Sequence, residues 1–168
     1  MTPAELKHHK LAVKALTSIP SFTQLKKGKL PRPLHKIGGS RFHTSGMIDI
    51  SDQYVTTFLY RDGSLLTDTA FFGYLFLRAT VSLYPLFEFH WHPSHKLIHA
   101  KLPCNAKYNY TDRTLPGAEE LNLSKKLTLD PRNERDRLEL IRIFCRATGI
   151  EFSSLALTTI ESDHETQC

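Results

Sequence analysis

The sequence predicts an α+β fold in which helices pack on a mostly antiparallel sheet of four or five strands. One observation is the segment 47–102, which is rich in aromatic and β-branched residues and is divided by turn signals. The other is a pair of segments with helix signals, 3–17 and 131–148, one on each side of it. Strands grouped in one run between terminal helices are typical of α+β rather than alternating α/β folds.

A capping box predicts the N-terminal helix. Thr2 and Glu5 have its spacing and Pro3 takes the first helical position, so we expect a helix over 3–17. The segment 20–46, called the arm from here on, should be irregular and lie over the domain rather than in its core. Its helix- and strand-breaking residues are Pro20, Gly28, Pro31, Pro33, Gly38, Gly39 and Gly46.

The middle of the chain contains a succession of strand signals. The run 54–60 is followed by Arg-Asp-Gly-Ser at 61–64, which predicts a tight hairpin. A long aromatic run, 71–81, comes next, and a further pair of strand-like segments, 86–92 and 96–102, meets at a Pro-Ser turn. These segments predict one antiparallel meander.

The C-terminal helix has the clearest boundary signals. An Asp-Pro pair at 130–131 predicts an N-cap followed by proline at the first helical position, and Gly149 predicts the end. Beyond the helix, 150–160 suggests a final edge strand and 161–168 a frayed tail.

Composition excludes several classes of protein. With 168 residues, 40% hydrophobic and 23% charged, the chain has the composition of one globular domain over 1–168. It has no run of about 18 apolar residues, and Lys7, Lys10 and Lys14 occupy the place of a signal peptide's apolar region. We therefore expect a cytoplasmic protein that does not associate with a membrane. An odd number of irregularly spaced cysteines argues against a disulfide framework: Cys104, Cys145 and Cys168.

Positive charge is concentrated near the N-terminus. The formal net charge is +5, but residues 1–48 alone carry nine Lys/Arg and one acidic residue. Six basic residues of the arm occur without an intervening acid: Lys26, Lys27, Lys29, Arg32, Lys36 and Arg41. Such a segment attracts polyanions and predicts salt-sensitive binding to RNA or another nucleic acid. The alternatives are a solvated segment that aids solubility and a contact with an acidic protein.

A histidine cluster is the second informative feature. Four of the nine histidines lie within ten residues: His90, His92, His95 and His99. Side chains alternate along a strand, so Glu88, His90 and His92 should share one face while the aromatic residues between them face the core. An even-numbered loop centred on Pro93-Ser94 would place His99 opposite Glu88 and on the same face. A three-residue loop would send His99 to the other face.

The cluster suits acid–base cleavage of RNA without a cofactor. One imidazole would take the proton of a ribose 2′-hydroxyl, and another, held cationic by a carboxylate, would protonate the leaving oxygen. A guanidinium would stabilise the phosphorane. The catalytic residues of this hypothesis are Glu88, His90, His92, His99 and Arg113.

Two alternatives remain open for the same histidines. In one, they bind Zn²⁺ or another divalent ion with water in an open position. The candidate ligands are His90, His92, His95, His99 and Cys104. In the other, the histidines only make local hydrogen bonds on a surface strand.

The stretch 83–104, an aromatic strand leading into the sequence HWHPSH and then His99, resembles the small sheet-rich ribonuclease-type toxins of bacterial toxin–antitoxin loci. The resemblance implies RNA as substrate and a dedicated inhibitory protein partner, which could be acidic. The residues of this sequence that the resemblance involves are His90, His92, His95 and His99. The sequence thus predicts a small basic RNA-directed nuclease, a hydrolase. The alternatives are a non-catalytic nucleic-acid-binding module that works through the arm, and a metal-dependent hydrolase.

Overall fold

The computed structural model describes residues 3–93, 97–101, 109–111 and 128–152. Within these residues there are two α-helices, α1 over Pro3–Leu11 and α2 over Glu134–Thr148. The strands are β1 Ala15–Leu16, β2 Thr23–Gln24, β3 Phe42–Thr44, β4 Ile48–Asp49, β5 Tyr54–Arg61, β6 Ala70–Arg78, β7 Leu83–His92, β8 Leu97–Lys101, β9 Asn109–Thr111 and β10 Glu151–Phe152. The predicted tail lies outside the described residues.

The main sheet is antiparallel throughout, with the order β2-β3-β5-β6-β7-β8-β9 and with β4 pairing on β5. A separate parallel pair joins β1 to β10. The α+β prediction is confirmed, and the sheet has eight strands rather than four or five, because the arm supplies β2 and β3 and the short strands β4 and β9 also join it. No helix in the described part of the chain is long and apolar enough to cross a membrane.

One face of the sheet packs on α2. The ring of Phe144 contacts the rings of Phe58 and Phe89, with centroids 5.3 and 6.2 Å apart. It also lies over Gly73, where an added Cβ would come within 2.7 Å of the Phe144 ring. Trp91 is fully buried on this face, and its indole nitrogen donates to the carbonyl of Leu129 at 3.1 Å. The aromatic residues that alternate with the histidines therefore face the core, as predicted.

The arm covers the opposite face of the sheet. Leu25, Leu30 and Leu34 are buried and form an apolar cluster with residues of β5 and β6, namely Val55, Leu59, Tyr74 and Phe76. The expectation that the arm stays out of the core is therefore wrong. Its turns bring these leucines to one side, although the five-residue step from Leu25 to Leu30 fits neither the helical nor the strand period.

Helix α1 ends at Leu11, earlier than predicted, and the chain then enters β1. The Lys14 ammonium folds back over the end of the helix. It donates to the carbonyl oxygens of His9, Lys10 and Ala12. A side-chain donor at this place satisfies carbonyls that the helix leaves unpaired, which gives a physical reason for the early end.

Helix α2 begins at Glu134, three residues later than predicted. The N-cap is Asn133, whose side-chain oxygen accepts from the amide of Asp136 at 3.2 Å. Asp130 instead accepts from the Asn133 amide through its backbone and binds Arg132 through its carboxylate. The predicted end is confirmed, since the left-handed Gly149 terminates the helix at φ 69°.

The predicted tight hairpin after β5 is wrong. Strands β5 and β6 are joined by residues 62–69, which include a short 3-10 helix. Arginine side chains hold this longer connection in place. Arg41 donates to the Asp62 carbonyl at 2.7 Å, and both Arg41 and Arg61 donate to the Asp68 carbonyl at 3.2 and 3.1 Å. The arginine contacts therefore favour a wider loop than the Asp-Gly signal predicts.

Candidate functional site

The register of β7 and β8 sets the geometry of the histidine cluster. The connection 93–96 has an even number of residues, as assumed, but the pairing is shifted from the predicted one. His90 lies opposite His99, and Glu88 lies opposite Lys101. The predicted pairing of Glu88 with His99 is therefore wrong. The three-residue loop, which would have sent His99 to the other face, is excluded.

Glu88 and His90 form the polar centre of the site. The His90 Nε2 atom lies 3.5 Å from a carboxylate oxygen of Glu88, and the two side chains are only 16% and 26% exposed. The same Nε2 is buried and makes no hydrogen bond to any described residue. The Glu88 carboxylate therefore lies beside this nitrogen without forming a hydrogen bond to it.

Aromatic rings surround the imidazoles. The Phe72 ring meets those of His90 and His92 edge to face, at centroid distances of 5.0 and 5.7 Å. The two imidazoles are themselves 6.2 Å apart. Phe42, from the arm, stacks on Phe72, with the ring centroids 6.4 Å apart. The two imidazoles are therefore neighbours on one face with an apolar wall beside them.

Tyr74 connects the histidines to the arm. Its ring lies 5.9 Å from that of His90, and it belongs to the apolar cluster that contains the arm leucines. Burial, and secondarily the negative charge of Glu88, raises the pKa of Tyr74 well above its usual value, so the phenol keeps its proton. The arm and the Glu88–His90 pair thus lie on the same face of the sheet.

The basic side chains of the arm point to solvent. Five of them are exposed and have no hydrogen-bond or ion-pair partner among the described residues: Lys26, Lys27, Lys29, Arg32 and Lys36. Arg41 is different, because its guanidinium holds the β5–β6 connection. Of the six predicted nucleic-acid-binding residues, five are therefore available to a ligand in this part of the structure.

Several predicted site residues cannot be placed in the site. Arg113, His95 and Cys104 lie outside the described residues, and only the backbone position of His99 is described. No group of three or more potential metal ligands occurs within the described residues. The divalent-metal hypothesis, which needs residues beyond them, stays a prediction.

The aromatic residues of the site were not predicted from the sequence. Phe72 pairs directly with His90, and Tyr74 pairs with Glu88, across β6 and β7. Residues opposite each other in an antiparallel pair share a face, so a correct register for these strands would have found both. The strand boundaries in the sequence were too imprecise to give that register.

No protein-family model, no curated protein and no solved structure matches this chain. The class of protein is therefore defined by its own fold and site. It is a basic α+β protein whose sheet carries a carboxylate–imidazole pair beside a cationic arm.

Proposed function

We propose that the protein is a small RNA-directed nuclease that cleaves by metal-independent acid–base chemistry. The observation that carries this proposal is the shared sheet face of the arm and the Glu88–His90 pair. Phosphates attracted by the exposed lysines of the arm would lie over the face that carries the imidazoles.

The paired histidine is the natural general acid. The Glu88 carboxylate, 3.5 Å from the ring, balances the charge of His90 when the ring holds an extra proton. A second imidazole, that of His92, takes the proton of the ribose 2′-hydroxyl. The 2′-oxygen then bonds to phosphorus, the phosphorus–5′-oxygen bond breaks, and His90 protonates the leaving oxygen. The products are a 2′,3′-cyclic phosphate and a 5′-hydroxyl.

The remaining parts of the proposed site position the substrate. Arg113 stabilises the charge of the phosphorane, and His99, opposite His90 in the register, completes the imidazole group. Phe42 and Phe72 offer apolar ring surface on which a base next to the cleaved bond packs.

Substitution of the two histidines tests the proposal. We expect His90→Ala and His92→Ala each to slow cleavage of a mixed-sequence RNA by about 100-fold or more, because a positioned acid or base contributes ~10²–10⁴-fold. His8→Ala is the matched control, since His8 is an exposed histidine on α1. Rates are measured in EDTA, and thermal unfolding shows whether each variant is folded.

Retained cleavage in both site variants would show that the proposed acid–base pair is wrong. Loss of wild-type cleavage in EDTA would favour the metal-dependent hydrolase instead. A protein that binds RNA but never cleaves it would be the non-catalytic binding module, which the five exposed basic side chains of the arm support. In that case the histidine substitutions should leave RNA affinity unchanged.

A further inference from the structure

A groove of about 780 Å³ lies at the other end of the same sheet face. Its walls are the arm turn 31–33, residues in and before β4, and the connection between β6 and β7. Met47, Val55 and Leu83 give it an apolar lining. Its size is within the range of small-ligand sites, roughly 300–1,000 Å³.

Two arginines line this apolar groove. Arg78 forms an ion pair with Asp49, which also lines the groove. Arg32 is exposed and has no hydrogen-bond or ion-pair partner within the described part of the chain. Val81 stands beside them and is 95% exposed. An apolar lining with a cationic rim is complementary to a ligand that combines flat apolar surface with negative charge.

The groove and the histidines are separated along β7. Pro85 lines the groove and lies opposite Phe76, which belongs to the cluster under the arm. Pro85 and His90 lie opposite Phe76 and Phe72, which are four residues apart on β6, so about 13 Å separates them at ~3.3 Å per strand residue. A dinucleotide bound at the histidines would not reach the groove, whereas a longer single strand that crosses the arm would occupy both.

We propose that this groove is a second nucleotide subsite for single-stranded RNA longer than a dinucleotide. The inference rests on the proposed function. A base would pack on the apolar lining with its phosphate beside Arg32 and Arg78. Nucleic acid is favoured over a protein segment because Arg32 belongs to the same cationic arm, which makes the groove continuous with the phosphate-binding surface.

A charge placed at the edge of the groove tests the subsite. The probe is a 2′-O-methyl RNA of about ten nucleotides, within the ~4–16-nucleotide site sizes of single-strand-binding folds. It cannot undergo the 2′-hydroxyl reaction. We expect Val81→Glu to weaken its binding about tenfold through repulsion of the phosphate. Val13→Glu is the matched control, because Val13 is 89% exposed and does not line the groove. Fluorescence anisotropy gives the dissociation constants.

A second variant changes the affinity in the opposite direction. Asp49→Asn removes the carboxylate that pairs with Arg78, so we expect the same oligonucleotide to bind several-fold more tightly. Equal affinities of Val81→Glu and Val13→Glu would overturn the subsite. The subsite would also be overturned if Val81→Glu lost as much affinity for a 2′-O-methyl dinucleotide as for the longer oligonucleotide. The repulsion would then not be specific to the groove. Failure of the nuclease proposal is seen separately, as absence of RNA cleavage, and does not affect this binding test.

Discussion

The environment of Lys14 in the fold differs from the one that its place in the sequence suggests. In the sequence it is one more positive charge near the N-terminus, but in the structure it is 2% exposed. Its ammonium donates to three carbonyls and lies 5.0 Å from the centre of the Tyr54 ring. Its burial depends on where α1 ends and on β5, so no local pattern could predict it.

Burial of this amine should make stability depend on pH. It lowers the pKa of Lys14 from 10.5 to about 8. Between these values the unfolded chain binds a proton that the folded protein has lost, so the free energy of unfolding should rise with pH. Relative to Lys14→Met, the wild type should gain up to about 3 kcal/mol, at ~1.4 kcal/mol per pKa unit. Urea unfolding from pH 7.5 to 10.5 measures the gain.

The gain has to be separated from the titration of a neighbouring residue. Burial raises the pKa of Tyr54, which lowers stability above about pH 10. Because Lys14 lies against the Tyr54 ring, this loss differs between the two proteins, so the rise below about pH 9.5 is the part that reports on Lys14. Parallel stability curves for wild type and variant would show that the amine keeps its ordinary affinity for protons in the folded state.

At the scale of elements, the end of α2 fits closely against α1. Gly149 has φ 69°, and a Cβ added there would lie 1.9 Å from the Lys10 carbonyl oxygen. Gly149→Ala should therefore destabilise the protein by strain and by separating the helices. Gly28 has φ 80° with no atom within 4 Å of an added Cβ. Gly28→Ala should therefore cost only the strain of the left-handed backbone, without a steric clash.

We expect Gly28→Ala to cost roughly 1–2 kcal/mol, the ordinary cost of a left-handed non-glycine residue. Gly149→Ala should cost at least ~1 kcal/mol more, as forced overpacking does. The midpoints of urea unfolding, with unchanged slopes, give the comparison. Equal losses would mean that α1 can move away from Gly149 without cost.

Elements with local signals were predictable, and those fixed by distant contacts were not. The end of α2 at Gly149 follows from its left-handed glycine, and the shared face of Glu88 and His90 follows from strand alternation. The β5–β6 connection departs from its Asp-Gly signal because Arg41, far away in the sequence, binds its carbonyls. The site was only partly predictable for the same reason, since its aromatic wall comes from another strand.

At the scale of the whole molecule, the charge asymmetry predicts salt-dependent RNA binding. For single strands the slope of log affinity against log salt is about −0.7 for each phosphate neutralised. The double substitution Lys26→Gln and Lys29→Gln should therefore reduce the magnitude of the slope by about 1.4. The double substitution Lys7→Gln and Arg135→Gln removes the same charge from exposed positions on α1 and α2.

These slopes are measured by anisotropy with the same uncleavable oligonucleotide over a range of salt concentrations. The control pair should leave the slope close to that of the wild type. If both pairs reduce it equally, RNA responds to the net charge of the molecule and the arm is not its binding surface. Both variants keep the arm leucines, whereas deletion of 20–46 would expose the core.

The buried leucines of the arm have a consequence for the energetics of any ligand that binds there. Leu25, Leu30 and Leu34 fix the backbone between the basic residues before a ligand arrives. Association would then require little further ordering of the chain, whereas a disordered basic tail loses conformational entropy when it binds. The cationic groups are thus preorganised by the same apolar contacts that stabilise the fold, which couples affinity for a polyanion to the packing beneath the arm.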